Sequence, residues 1–476
     1  RMIPRMTQAV KLVGIDIGTS SIKAVRIRAE GAIAVEAAVS RPYAADNAPT
    51  RDPALWARLA EEALVELTAG ETVSAIGFTG QMHAMVALDD RGALAAPVRL
   101  WLDMDGAPDL DAFVAAYPGS IARETGNIPL PDFTLAKWLW ARRLDPDLPA
   151  RIGGLYCAKD YVRAALDPSA PFVVDRNEAT GMQVFNPFAD RWHDGLIERA
   201  GLSRAALPRP VAATEAAGAW RGIPMVVGVG DQAAAARAIG ALVPGVASLS
   251  LGTSGVLSIP LMKSALPTSW DGAFHLFPTG FDDNYQVIGT VPAFGATLRW
   301  LQTLFGRSMA ELDAAASSRP IGEGRALFVP YLAGAGAPHP DHSLAAALTG
   351  LTVDTDLPAI VRAVYDGTAQ ELAAITEEAA AIGAANDAVL LSGGATHLPG
   401  LVATLAAFLP SECWLVDAAE ASAVGAALAG LDHLHPGNRL SLTTTAVPRA
   451  MSHPLRDDWR RARETALADG GVQHKD

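Results

Sequence analysis

The sequence predicts a mixed α/β protein of two related halves that face each other. Three observations lead there. At 476 residues the chain is too long for a single hydrophobic core, which stops growing near ~250–300 residues. Short apolar runs of strand length alternate with stretches of helical periodicity along the chain, the signature of an α/β architecture. A layout of strand, Gly-Thr-Ser turn and strand also occurs twice, over residues 12–27 and 248–259, which points to an internal duplication.

Taken in order, residues 1–10 read as a flexible arm, and 11–244 and 245–476 as the two domains, divided at Pro244-Gly245 just before the second copy begins. Residues 12–39 are three apolar runs broken at Gly18-Thr19-Ser20-Ser21 and Glu30-Gly31, the pattern of a strand meander. Asp52-Pro53 supplies a cap and a first-turn proline for a helix over 52–67, and a strand follows over 73–78. Farther on, 225–229 reads as a buried strand that ends in glycines, with an alanine-rich helix running from Asp231 to Ala241. In the second half, 388–392 reads as a strand entering Gly393-Gly394, and Pro399-Gly400 opens a helix to Leu409. The small-residue helix over 421–428 suits either a close-packed hinge or plain core.

Composition narrows the function classes. Against 38 Lys+Arg stand 51 Asp+Glu, a formal charge of −13, and such a surface lacks the basic stripe that displaces counterions from nucleic acid. A phosphate-bearing ligand would be held mainly by backbone amides and a metal. Two cysteines, Cys157 and Cys413, make no disulfide framework, so a reducing compartment, the cytoplasm, is the expected location. No run of ~18 uninterrupted apolar residues exists to span a bilayer, and residues 1–6 lack the apolar core of a secretory signal. Neither membrane nor nucleic acid is expected as a partner.

Several short motifs can carry chemistry. Asp16-Ile17-Gly18-Thr19-Ser20 sets a carboxylate at the end of a buried strand, followed by exposed amides and hydroxyls. Such a turn can surround phosphate oxygens with donors while Asp16 holds Mg²⁺, although the same residues also satisfy an ordinary hairpin. In the second copy Ser250 takes the place of Asp16, so only one side would handle metal. Asp231 opens a helix, where an Asp most often caps, yet it also stands where it can take a proton from a hydroxyl. Residues 228–233 match the glycine spacing of a dinucleotide turn as well, but no Asp or Glu follows between Gln232 and Trp270 to bind a ribose, which demotes an NAD-dependent dehydrogenase. Ser392-Gly393-Gly394-Ala395 lets a flat or anionic ligand approach the backbone. Gln81-Met82-His83 brings an amide, a thioether and an imidazole out of one strand end, a set suited to a polyol or ketose. His339-Pro340-Asp341-His342 has no third metal ligand at a recognisable spacing and reads as a loop.

In their order and spacing, Asp16-Ile17-Gly18-Thr19-Ser20, Gly80-Gln81-Met82-His83, Gly230-Asp231-Gln232, Leu251-Gly252-Thr253-Ser254-Gly255 and Ser392-Gly393-Gly394-Ala395 resemble the landmarks of the FGGY carbohydrate kinases. The resemblance extends over Thr125-Gly126-Asn127, Phe133-Thr134-Leu135-Ala136-Lys137-Trp138, Lys159-Asp160-Tyr161 and Phe328-Val329-Pro330-Tyr331-Leu332, and Gln81-Met82-His83 looks like the xylulokinase branch. It implies two duplicated ribonuclease-H-like domains of the actin-like ATPase fold around a central cleft. ATP would sit on the second, its adenine near Gly393, Gly394 and Ala395 and its phosphates near Gly252, Thr253, Ser254, Gly18, Thr19, Ser20 and Lys23. The sugar would lie on the first, against Gln81, Met82, His83, Trp101, Asp231 and Gln232. Asp231 would be the general base, Asp16 and Asp231 would organise Mg²⁺, and the partners would be a small sugar and ATP, with a homodimer as the assembly left open.

Two departures bear on the substrate. Ala335 and Gly336 stand where many relatives carry an acidic-basic pair, and Leu102-Asp103-Met104-Asp105 departs from the xylulokinase pattern after Trp101. D-xylulose is therefore the leading acceptor among ketoses, with another ketose, a sugar alcohol or glycerol as the alternative. From another class, a non-catalytic sugar or ATP sensor on the same fold would share the phosphate turns.

Overall fold

The computed structural model describes residues 9–417, 419–448 and 453–473. Most of the arm expected over 1–10 lies outside them, and Val10 already belongs to the first strand, pairing with Ala29.

The meander forms as its apolar runs require. Val10–Ile17, Ser21–Ala29 and Ile33–Pro42 are antiparallel neighbours, with Ala75–Gly80 added parallel to the first strand. Ile223–Val226 follows parallel to Ala75–Gly80, and Ala216–Trp220 closes that edge antiparallel. The second half repeats the plan. Gly245–Leu251, Gly255–Leu261 and Tyr285–Val291 form the meander, and Asn386–Ser392 and Glu412–Val416 extend it in parallel. Thr444–Ala446 lies antiparallel on that edge, while His275–Pro278 lies beyond Tyr285–Val291. Two sheets of the same strand order make the duplication structural, in the two-domain fold that the repeated turns suggest.

Local chemistry places the helices. Asp52 accepts from the amides of Ala54 and Leu55, at 3.0 and 3.2 Å, so the helix Pro53–Thr68 starts where the cap and proline predict. Its Trp56 is fully buried against Ile15 and Phe78 under the first sheet. The strand expected over 225–229 stops at Val226. Gly228 has φ +75° and lies against the backbone of Phe78, a left-handed step that a regular strand cannot contain.

Where the halves join, the helix Asp231–Ile239 of the first crosses the helix Ala421–Leu434 of the second. A Cβ on Gly425 would overlap the carbonyl oxygen of Ala234, so the two backbones touch. The same second-half helix lies on the first sheet, where a Cβ on Gly14 would overlap the Ala423 carbonyl and one on Gly77 the Ala426 carbonyl. Ala236 and Ile239 share one apolar cluster with Leu390 of the second sheet and with Leu12 and Ala75 of the first. The close packing expected over 421–428 is present, and the same residues are also core, with Ala423, Val424, Ala427 and Leu428 fully buried.

A second junction runs along His275–Pro278. Asn127 Nδ2 donates to Leu276 O at 2.9 Å, Asn177 Nδ2 to Pro278 O at 2.8 Å, and Trp270 Nε1 to Gly126 O at 2.9 Å. The edge strand of the second sheet is thus strapped to the first half. No described helix is long and apolar enough to cross a membrane.

The crossing sets the first expectation. Gly77→Ala should lower stability by about 3 kcal/mol, the upper part of the range for overpacking, because the methyl meets backbone that cannot rotate away. Gly324→Ala, with only ordinary contact at 3.9 Å, should be nearly neutral. Urea midpoints of the two variants decide it.

Candidate active site

Both crossing helices begin in the same cavity, of about 270 Å³, between the halves. The first half brings Asp16 from the end of Val10–Ile17, Lys23 from the next strand, and Asp231 and Gln232 from the start of a helix. The second brings Ser250, Ser392 and Gly393, with Glu420 and Ser422 at the start of the other helix. The sequence assigns Asp16, Lys23 and Gly393 to ATP and its metal and Asp231 and Gln232 to the sugar, and the structure brings these five to one cavity. Sequence reasoning missed Glu420, which precedes a small-residue helix and carries no motif of its own.

The charges in this cavity are unbalanced. Three carboxylates, Asp16, Asp231 and Glu420, face one ammonium, Lys23, which reaches Glu420 Oε1 at 3.3 Å. Asp16 Oδ1 and Glu420 Oε2 are buried without a hydrogen-bond partner among the described residues. Burial raises Asp16 to about 7, with the Asp231 charge adding to it and Lys23 opposing. Burial likewise raises Asp231 to about 6, opposed by the backbone amides of Gln232 and of Asp231 itself, which donate to its carboxylate. Glu420 holds φ +57°, a left-handed conformation that costs a non-glycine residue about 1–3 kcal/mol. Three carboxyl groups against one ammonium, two of them kept from ionising freely by burial and two oxygens unpaired, fit a divalent cation bearing water or phosphate ligands. The described residues contain no cluster of three or more side chains that would ligate a metal directly, so the protein would hold it through few direct bonds.

Each Gly-Thr-Ser turn is closed by its glycine amide, but the second more tightly: Gly18 N donates to Ser21 O, three residues on, at 3.0 Å, and Gly252 N to Ser254 O, two residues on, at 3.1 Å. Gly252 and Thr253 are exposed, and Gly18, Thr19 and Ser20 half-buried. Ser254 turns its hydroxyl to Pro292 O at 2.9 Å, which leaves the exposed Thr253 as the freer hydroxyl. Gly393, at φ +97°, packs on the Leu251 backbone, beside the second turn. Gly394 has open space where a Cβ would be, and Ala395 is buried next to it.

Gln81, Met82 and His83 lie on the other side of Gly230, where a Cβ would strike the Met82 thioether and Asn177. Gln81 is 2% exposed and donates to Gly18 O at 3.3 Å. His83 bonds Gly181 O at 3.1 Å and packs on Phe133 with ring centroids 4.4 Å apart. Trp101 is 43% exposed and donates to Thr19 Oγ1 at 3.0 Å, over the first turn, whose Gly18 O also accepts from Gln81.

A buried ion network supports the strand end that carries Asp231. Lys159 pairs with Asp160 at 3.0 Å and Asp175 at 2.7 Å, and Arg163 with Asp160 at 3.4 Å. Lys159 also reaches Val227 O at 3.4 Å, while Thr79 Oγ1 donates to Val229 O at 2.6 Å. Asp175 caps the helix Arg176–Gly181 through the amides of Asn177 and Glu178. That helix sets Asn177 against Gly230 and Gly181 against His83.

The departures are absorbed locally. Asp103 is buried in an ion pair with Arg51, and Asp105 pairs with Arg99. Ala335 exchanges backbone hydrogen bonds with Asp341 at 2.9 and 3.1 Å, and a Cβ on Gly336 would overlap Thr290. The loop is pressed onto Tyr285–Val291 without the charges. His339 bonds Glu378 at 2.8 Å and holds no metal cluster among the described residues.

Comparison with known proteins agrees with this architecture. Residues 11–238 match the model of the N-terminal domain of the FGGY family of carbohydrate kinases, and residues 247–431 that of its C-terminal domain. The chain belongs to the FGGY carbohydrate kinase family. This sugar kinase is 29% identical over 400 residues to the xylulose kinase of Escherichia coli, covering 80% of this chain and 81% of that one. Its fold superposes on the xylulose kinase of Rhodospirillum rubrum with a TM-score of 0.83 at 23% identity, 98% of each chain covered. A gluconate kinase from Lactobacillus acidophilus superposes with the same score at 20% identity over 98% of each chain, so the sugar kinase fold alone does not name the sugar.

The raised acids predict a linkage. Asp16 is higher in the folded state, about 7, than in an unfolded chain, about 3.9. Its contribution is therefore neutral below pH ~4, grows steadily more destabilising as pH rises from ~4 to ~7, and is constant above that. Asp16→Asn should stabilise the unliganded kinase at pH 8, with a smaller gain at pH 5, read from denaturation midpoints at both.

Proposed function

We propose that this sugar kinase transfers the γ-phosphate of ATP to a hydroxyl of a ketose, with D-xylulose, giving D-xylulose 5-phosphate, as the leading acceptor. The observation that carries the reading is the place of Asp231. It is a carboxylate raised to about 6, lining the cavity between the halves, one residue after the glycine that touches Met82 and Asn177. A base with its pKa near the working pH accepts a proton efficiently without being protonated beforehand. The xylulose kinases among the relatives favour the ketose over the sugar alcohol or glycerol alternatives.

In this mechanism Gln81, Met82 and His83 hold the sugar on the first half. Asp231 takes the hydroxyl proton as that oxygen bonds to the γ-phosphorus. The bond from phosphorus to the bridging oxygen breaks, and ADP leaves with the electron pair. Lys23, the amides of Thr19 and Ser20 and those of Thr253 and Ser254 would face the phosphates, and Gly394, with no side chain above it, leaves room for a flat base. Asp16 and Asp231 would hold Mg²⁺, whose charge, when bound, offsets that of the phosphates. Glu420 would release Lys23 as phosphate arrives. Closure of the halves excludes water, which would otherwise take the phosphoryl group. The domain division at Pro244-Gly245 belongs to this reading, as does a cytoplasmic location, the buried Cys157 and Cys413 forming no disulfide.

ADP release with Mg²⁺ and ATP across ketoses and polyols tests it. One sugar should stimulate release, and Asp231→Asn should cut turnover by about 10²–10⁴. Near-normal turnover in that variant rules out the base, and release that no sugar stimulates favours a sensor on the same fold.

A further inference from the structure

Beyond Gly230, the halves meet around Met82, Phe133 and Phe277, and the polar atoms bordering this cluster have one feature in common. His83 Nδ1 lies 3.1 Å from the carbonyl oxygen of Gly181, which can only accept, so Nδ1 carries the proton. The strap orients Asn127: its Nδ2 donates to Leu276 O at 2.9 Å and its Oδ1 accepts from Leu276 N at 3.3 Å. His275 Nδ1, 3.1 Å from the same Oδ1, is therefore a donor too. Burial lowers both imidazoles, His83 to about 4. Each ring is neutral at physiological pH, with Nε2 left as a bare acceptor.

The remaining groups extend the pattern. Asp132, next to Phe133, makes no side-chain hydrogen bond or ion pair among the described residues, and its charge acts on both imidazoles. Gln81 Oε1 is buried without a partner among the described residues. Lys137, the nearby cation, commits its ammonium to the carbonyls of Asp132 and Phe133, at 2.5 and 3.2 Å. Among the uncommitted polar atoms, two imidazole Nε2, the Gln81 carbonyl oxygen and one carboxylate can only accept hydrogen bonds, while the unpaired Thr134 hydroxyl, next to Phe133, can accept or donate.

We propose that this end of the cleft selects uncharged, hydroxyl-rich substrates and rejects sugar acids, with Asp132 and His275 as specificity-determining residues alongside His83. The proposal rests on the sugar kinase reading above and narrows it to neutral ketoses and polyols. A hydroxyl can donate to each of the free acceptors. A ligand carboxylate can donate to none, leaves them unpaired in a buried place, and meets the charge of Asp132.

The test measures kcat/KM with MgATP for neutral ketoses and polyols and for the corresponding aldonic acids, on the full chain and on Asp132→Asn and His275→Gln. The native enzyme should prefer the neutral class by about 10²-fold or more. Asp132→Asn, which puts two donors where only acceptors stood, should narrow that ratio by about tenfold, mostly through KM. His275→Gln should narrow it in the same direction. Sugar-induced shifts in melting temperature without ATP give a second readout, so that poor turnover in a variant does not hide a change in binding. Equal use of both classes by the native enzyme overturns the proposal, as does an unchanged ratio in both variants, while the kinase reading survives. If no carbohydrate of either class stimulates ADP release, the kinase reading falls and takes this proposal with it.

Discussion

The contact of Ala234 with Gly425 is the constraint on which the rest of the molecule depends. Two helices can approach until their backbones touch only if the residues at the crossing have almost no side chain, and here one partner is glycine and the other alanine. The same helix needs Gly14 and Gly77 beneath it to lie flat on the first sheet. Those four positions fix the separation of the halves, and the separation fixes the cavity. A wider crossing would part Asp16 and Asp231 from Ser250 and Gly393, and the charge imbalance would disperse into solvent.

Around that crossing the protein accepts local cost for chemistry. A left-handed Glu420, unpaired carboxylate oxygens and two acids raised by burial all work against the unliganded fold. The compensation is placed nearby. The buried pairs of Lys159 and Arg163 with Asp160 and Asp175, and the cap that Asp175 gives to Arg176–Gly181, hold the backbone that presents Gly230 and Asp231. Removing one partner of such a pair leaves an uncompensated buried charge, so the support is as exacting as the site it carries.

Much of this was legible in the sequence because the signals are local. The meander, the Asp52 cap, the repeated Gly-Thr-Ser turn and the Asp231 helix each rest on a few adjacent residues, and each formed. What escaped depends on residues far apart in the chain. Glu420 joins Asp16 only through the helix crossing. His275 and Phe277 approach His83 and Phe133 only because the strap brings an edge strand of the second sheet to the first half. The end of the strand at Val226 was missed because Gly228 is bent by its contact with Phe78, a neighbour that no window on the sequence contains.

The strap has a mechanical consequence. The helix crossing and the segment His275–Pro278 are two separate places where the halves are fastened, and two fixed points define a line. Rotation about that line is the rigid-body movement that preserves both fastenings. The halves are therefore guided like a door on two hinges, with one angular degree of freedom, and neither sliding nor twisting has to be suppressed by the ligands themselves. Because Asn177 of that fastening also lies against Gly230, the line passes close to Met82 and to the start of the Asp231 helix.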